Sequence, residues 1–119
     1  IWYDKKRRRF YAVAKYFSNS KKLAPQFGAL VLITSKDGKE WSAAEHTLVS
    51  LKELKFNDGR TVQVDRLERP FIVTDKKGKP VALFAAAAVT SPAKGDPENV
   101  LPENNSFNVC IPLNASGKK

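Results

Sequence analysis

Two stretches of this chain, 71 residues apart, read as the same hairpin, and that repeat constrains the fold more than any other feature. Ile1-Trp2-Tyr3-Asp4-Lys5-Lys6, then Phe10-Tyr11-Ala12-Val13-Ala14, lines up with Ile72-Val73-Thr74-Asp75-Lys76-Lys77, then Val81-Ala82-Leu83-Phe84-Ala85. Each copy is a run of β-branched and aromatic residues, a charged turn and a second such run. Two copies of a hairpin at that distance suggest two repeating units of a larger β-architecture, the alternative being chance similarity of two polar turns. A four-stranded propeller blade with long loops has about this length. The expectation is an all-β chain: about two blades plus the closing strand of a β-propeller, with units of about 1–65 and 66–119.

The residues between the copies are also strand and turn. Ala29-Leu30-Val31-Leu32-Ile33-Thr34 is a continuous apolar run, which suits a strand covered on both faces. It leads into Ser35-Lys36-Asp37-Gly38-Lys39-Glu40-Trp41, where Asp-Gly supplies a tight turn. Asn57-Asp58-Gly59 repeats the device before the alternating strand Thr61-Val62-Gln63-Val64. Phe107–Pro112 reads as a last strand stopped by its proline. Ser91–Asn105, with Pro92, Pro97 and Pro102, reads as a long loop. Ser42–Phe56 points two ways. Ser42-Ala43-Ala44-Glu45 is a capping-box pattern with Leu48, Leu51 and Leu54 at helical spacing. The extended reading is preferred, because Thr47-Leu48-Val49-Ser50 leans to β and hairpins flank it.

Length and composition remove whole classes. The 119 residues suit about one domain, and 42% apolar residues are enough for a packed core. The longest apolar run, Val81–Val89, is far shorter than the ~18 residues of a membrane-spanning helix. Cys110 is the one cysteine, which excludes a disulfide scaffold and a cysteine zinc site; in an apolar strand it reads as a buried, inert thiol. The chain holds no Met and opens directly on strand-like residues, so it reads as a piece of a longer protein. Its net charge is +9, concentrated at the start, where residues 1–30 carry eight Lys/Arg against the single acid Asp4. This basic cluster, interleaved with Trp2, Tyr3, Phe10, Tyr11 and Tyr16, has the residue types of a single-strand nucleic-acid surface over residues 2–22. The preferred reading is a solvated hairpin turn with its rings in the core.

Few residues carry chemistry. His46 is the only histidine, no nucleophile elbow accompanies it, and no glycine-rich phosphate loop or metal-ligand cluster exists; no cofactor is implied. The remaining candidate is Asp65-Arg66-Leu67-Glu68-Arg69-Pro70. Pro70 biases Arg69 to an extended backbone. In an unbroken strand Asp65 and Glu68, three apart, point to opposite faces, whereas Arg66 shares the face of Glu68. The plain alternative for these charges is a surface ion pair.

The segment Glu68-Arg69-Pro70-Phe71-Ile72-Val73, followed by Gly78-Lys79-Pro80-Val81-Ala82-Leu83, resembles the E-R-P, strand, G-K-P, strand hairpin of five-bladed β-propeller glycosidases. These are the arabinanases, β-xylosidases, galactanases and invertases. Ser35-x-Asp37-Gly38-x-x-Trp41 is similar to a turn frequent in their blades, one residue short of the sialidase Asp-box. Trp41–Ser50 and Ser106–Leu113 also look like the C-terminal part of bacterial members. The resemblance implies part of a secreted or periplasmic enzyme that cleaves a plant or algal polysaccharide with paired carboxyl groups. By analogy with the invertase E-C-P motif, in which Cys stands where this chain has Arg69, Glu68 would be the catalytic acid. Arg69, His46 and Asp65 would bind substrate. The partners implied are the carbohydrate and the remainder of the same chain or a second copy. A carbohydrate-binding propeller without catalysis and a basic nucleic-acid-binding module are the alternatives.

Overall fold

The computed structural model describes residues 1–18, 20, 22–89 and 106–113, and Ser91–Asn105, expected as a loop, lies outside them. Among the described residues every regular element is a strand. These are β1 (Trp2–Asp4), β2 (Arg9–Lys15), β3 (Leu30–Ser35), β4 (Ser42–Ser50), β5 (Glu53–Lys55), β6 (Thr61–Gln63), β7 (Arg66–Thr74), β8 (Pro80–Ala88) and β9 (Ser106–Pro112). All pairings are antiparallel between sequence neighbours: a four-stranded sheet β1-β2-β3-β4, a hairpin β5-β6 and a three-stranded sheet β7-β8-β9. The all-β expectation is met, and Ser42–Phe56 is extended despite its helical spacing. Its leucines serve different surroundings: Leu48 is exposed, Leu51 packs under the 16–29 loop, and Leu54 enters the main core.

Both copies of the repeated hairpin form, and the aspartate does the same work in each. Asp4 Oδ1 accepts the Arg7 amide at 2.9 Å, and Asp75 Oδ1 accepts the Lys77 and Lys79 amides at 2.8 and 2.9 Å. An Asp side chain standing in for a backbone acceptor is how such residues initiate turns. The Ser35–Trp41 turn is likewise self-contained. Ser35 Oγ accepts the Asp37 and Gly38 amides, Asp37 Oδ1 accepts those of Lys39 and Glu40, and the Trp41 indole donates to Gly38 O at 3.2 Å. Gly38 has φ +78°, a conformation that side chains other than glycine's adopt only with strain.

The main core lies between the two larger sheets, with β7 packed across β2 and, less extensively, β3. Leu30, Leu67, Leu83, Ala85, Ala87 and Val89 form its centre, and Leu54 and Val64 close one end. A smaller cluster of Ala24, Ala29 and Val31 covers the other face of β3. Successive residues of that strand therefore enter different clusters, which is why its sequence is apolar without alternation. On β9, Phe107, Val109 and Ile111 face the core, so period-two alternation turns Cys110 outward opposite Phe84. The thiol is exposed, not buried. An apolar run marked the strand but not which of its residues faced in.

Arg69 also departs from expectation. Its φ is +51°, left-handed rather than extended. Between the pairs Glu68↔Ala86 and Phe71↔Phe84, Arg69 and Pro70 together oppose Ala85, which is a β-bulge. Pro70 has no N–H to give the ladder, and β7 is an edge strand, where that loss is tolerated. The extra residue resets the alternation, so Leu67 and Ile72, five apart, both join the main core.

Candidate functional site

At the end of β2 the chain leaves the first sheet, loops through residues 16–29 and returns on β3. The loop is zipped at its base: the Tyr16 amide donates to Ala29 O at 2.9 Å and the Gly28 amide to Tyr16 O at 2.7 Å. It faces the start of β7, and between them lies an open cleft of about 340 Å3. One wall is Phe17 and Phe27, whose rings meet edge to face with centroids 5.9 Å apart. Phe17 is 70% exposed and Phe27 44%. Pairing of two phenyl rings that remain this open to water leaves an apolar surface with a defined geometry. The other wall carries Asp65, Arg66 and Glu68, with Lys15 and Lys52 also lining the cleft.

Glu68 sits at the centre of the electrostatics. Lys15 Nζ donates to Glu68 Oε1 at 2.8 Å, and Arg66 Nη1 stands 3.8 Å from the same oxygen. The Lys15 hydrogen bond holds the Glu68 carboxyl below the usual glutamate range; burial opposes it, and the charges of Lys15, Arg66 and Arg69 assist. Glu68 is therefore ionised at neutral pH while this pair stands. Lys15 also lies 5.0 Å from the Phe17 ring centre, a cation–π contact that joins the two walls.

The structure brings Asp65 and Glu68 to one cleft, although an unbroken strand would have separated them. Asp65 lies in a bend ahead of β7, where its amide donates to Ala88 O at 2.9 Å, so strand alternation does not govern its side chain. Arg66 shares the surroundings of Glu68, as strand alternation indicates. Arg69 is exposed at the bulge and His46 is exposed on edge strand β4; neither lines the cleft. Sequence reasoning did not find Phe17, Phe27, Lys15 or Lys52. Lys15 and Glu68 are 53 residues apart and meet only because β7 crosses β2, so no local pattern announces the pair.

In the basic hairpin the rings pair with one another and, contrary to expectation, enter neither core cluster; Tyr3 is exposed. Trp2 stacks on Tyr11 with centroids 5.7 Å apart, and Tyr3 meets Phe10 edge to face at 4.9 Å. Arg7 pairs with Asp4 at 2.7 Å and the Arg9 guanidinium donates to Thr34 Oγ1 at 2.9 Å. Comparison with protein-family models, with curated proteins and with solved structures gives no match to this chain.

Proposed function

We propose that this chain is part of a β-propeller of the glycoside hydrolase kind, acting on a plant or algal polysaccharide or oligosaccharide, and that the Phe17–Phe27 cleft holds the sugar. The observation that carries this reading is the pair of exposed phenyl rings facing two carboxylates, Asp65 and Glu68, across one cleft. Sugars offer an apolar C–H face and a rim of hydroxyls. Phenyl rings suit the first, and carboxylates, with several acceptor sites each, suit the second. Carboxyl groups are also what glycosidic cleavage uses. Two antiparallel meanders packed on a shared core suit neighbouring blades.

Within this reading Glu68 is the catalytic carboxyl, and Asp65 contacts substrate hydroxyls. Arg69 and His46, outside the cleft, would reach only parts of a glycan extending beyond it. For Glu68 to donate a proton, Lys15 must first release it, because the pair favours the charged form. The outer face of the third sheet supports a further layer. Phe71 and Phe84, directly paired, are 66% and 42% exposed there, and the remainder of the propeller or a second copy would cover them.

The test is Glu68→Gln in the intact protein, assayed on a natural glycan and on an aryl glycoside whose leaving group needs no protonation. A general acid loses roughly 100-fold or more on the glycan and largely keeps the aryl substrate. Equal losses on both make Glu68 a binding residue, and glycan binding without sugar release by the unaltered protein makes this a carbohydrate-binding propeller.

A further inference from the structure

The cleft has a feature that a neutral sugar does not use. Gly28, at φ +82°, forms its base, and a Cβ there would lie 3.3 Å from Lys52 Cδ and 3.4 Å from Lys15 Cε. Both lysine stems therefore pass close over Gly28, whose positive φ is a conformation that other side chains adopt only with strain. Lys15 is committed to Glu68. Lys52 forms no ion pair with any described residue. Arg66 is largely exposed and keeps only a long ion pair with Glu68 Oε1 at 3.8 Å, without a hydrogen bond, so its guanidinium donors still face solvent. Two cations thus border a surface of two phenyl rings, on a chain of net charge +9.

We propose that the cleft binds an anionic glycan, with a sugar ring on Phe17 and Phe27 and its carboxylate or sulfate taken by Lys52 and Arg66. This rests on the reading of the cleft as a sugar site. Charge-assisted bonds from ammonium and guanidinium groups are the strong ones, and the planar Arg66 fork fits a carboxylate or sulfate edge. The acids have their own role. Glu68 is neutralised by Lys15, and the oxygens of Asp65 and Glu68 accept from sugar hydroxyls, which an acidic sugar carries together with its anionic group. A cleft with both donor cations and acceptor carboxylates matches that mixed chemistry better than it matches a phosphate chain.

Calorimetric titration of the intact protein tests this with three probes of matched length: an oligogalacturonate, a sulfated galacto-oligosaccharide and a neutral galacto-oligosaccharide. At least one acidic probe binds about tenfold or more tighter than the neutral one, and whichever does identifies carboxylate or sulfate. Phe17→Ala and Lys52→Gln each weaken that binding roughly tenfold, with Arg66→Gln as the substitute should Lys52→Gln perturb folding. Combined Lys5→Gln, Lys6→Gln and Arg8→Gln in the distant hairpin leave it unchanged. Equal binding of neutral and acidic probes overturns the anionic preference but leaves the sugar site standing. Loss in the hairpin variant without loss in Phe17→Ala overturns the proposal in favour of general attraction by a basic surface. Absence of binding to all three removes the proposal and the sugar reading together.

Discussion

At Ser35 one buried hydroxyl organises a whole turn. It accepts two backbone amides and donates to Asp37 Oδ1 at 3.0 Å, so Ser35→Ala removes three hydrogen bonds made by a buried side chain. A loss of about 1–3 kcal/mol is expected, read from urea denaturation midpoints. This turn was legible in the sequence, because each of its bonds joins residues no more than three apart. The Glu68 pair was not, since its lysine comes from another sheet. Its consequence for stability has a definite sign. The folded carboxyl holds its proton less readily than the unfolded one, so its contribution is complete above the ordinary glutamate value. That contribution is lost as pH falls through the lowered folded value. Asp4, whose carboxyl accepts the Arg7 amide, behaves in the same direction. Denaturation midpoints of Glu68→Gln should therefore fall less steeply on acidification than those of the unaltered chain. A parallel fall would show that the pair does not couple to folding.

Among the elements, β7 shows most clearly how a strand can be legible and its geometry not. Its apolar residues announced a strand, and the Glu68-Arg69-Pro70 segment gave no sign of where the alternation would reset. The bulge resolves a conflict between two core residues at odd spacing, and that conflict exists only once β8 lies alongside. Arg69→Gly removes a left-handed strain of about 1–2 kcal/mol but gives the unfolded chain more freedom. The net expected change is a gain of up to about 1 kcal/mol by urea denaturation. Deleting Arg69 removes the bulge instead: Pro70 alone then opposes Ala85, Leu67 and Ile72 stand four apart, and both keep the core face, so the shortened chain should still fold. Leu67→Ala, at a side chain with no exposed surface, should cost about 2–5 kcal/mol. The helical pattern in Ser42–Phe56 failed to form a helix for a related reason. β4 pairs with β3 through a shifted register, and its neighbourhood, rather than its own spacing, decides.

For the molecule as a whole, the repeated hairpin made the all-β class legible, and both of its copies form antiparallel pairs. Which loop would supply the cleft was not in that repeat, and the two phenylalanines that define it lie in an irregular segment with no period to read. The outer face of the third sheet gives a prediction at this scale. If a second copy covers that face, the chain self-associates in sedimentation velocity and Phe84→Ser, outside the core, reduces that association with the fold intact; association unchanged by the substitution would place the contact elsewhere. The central claim, that the cleft between the 16–29 loop and the start of β7 receives a sugar, is tested most directly by amide chemical-shift mapping during an oligosaccharide titration. The account predicts shifts concentrated at Phe17, Phe27, Gly28, Lys52 and Asp65. Shifts centred on the Lys5–Arg9 hairpin, or none with neutral or acidic sugars, would contradict it.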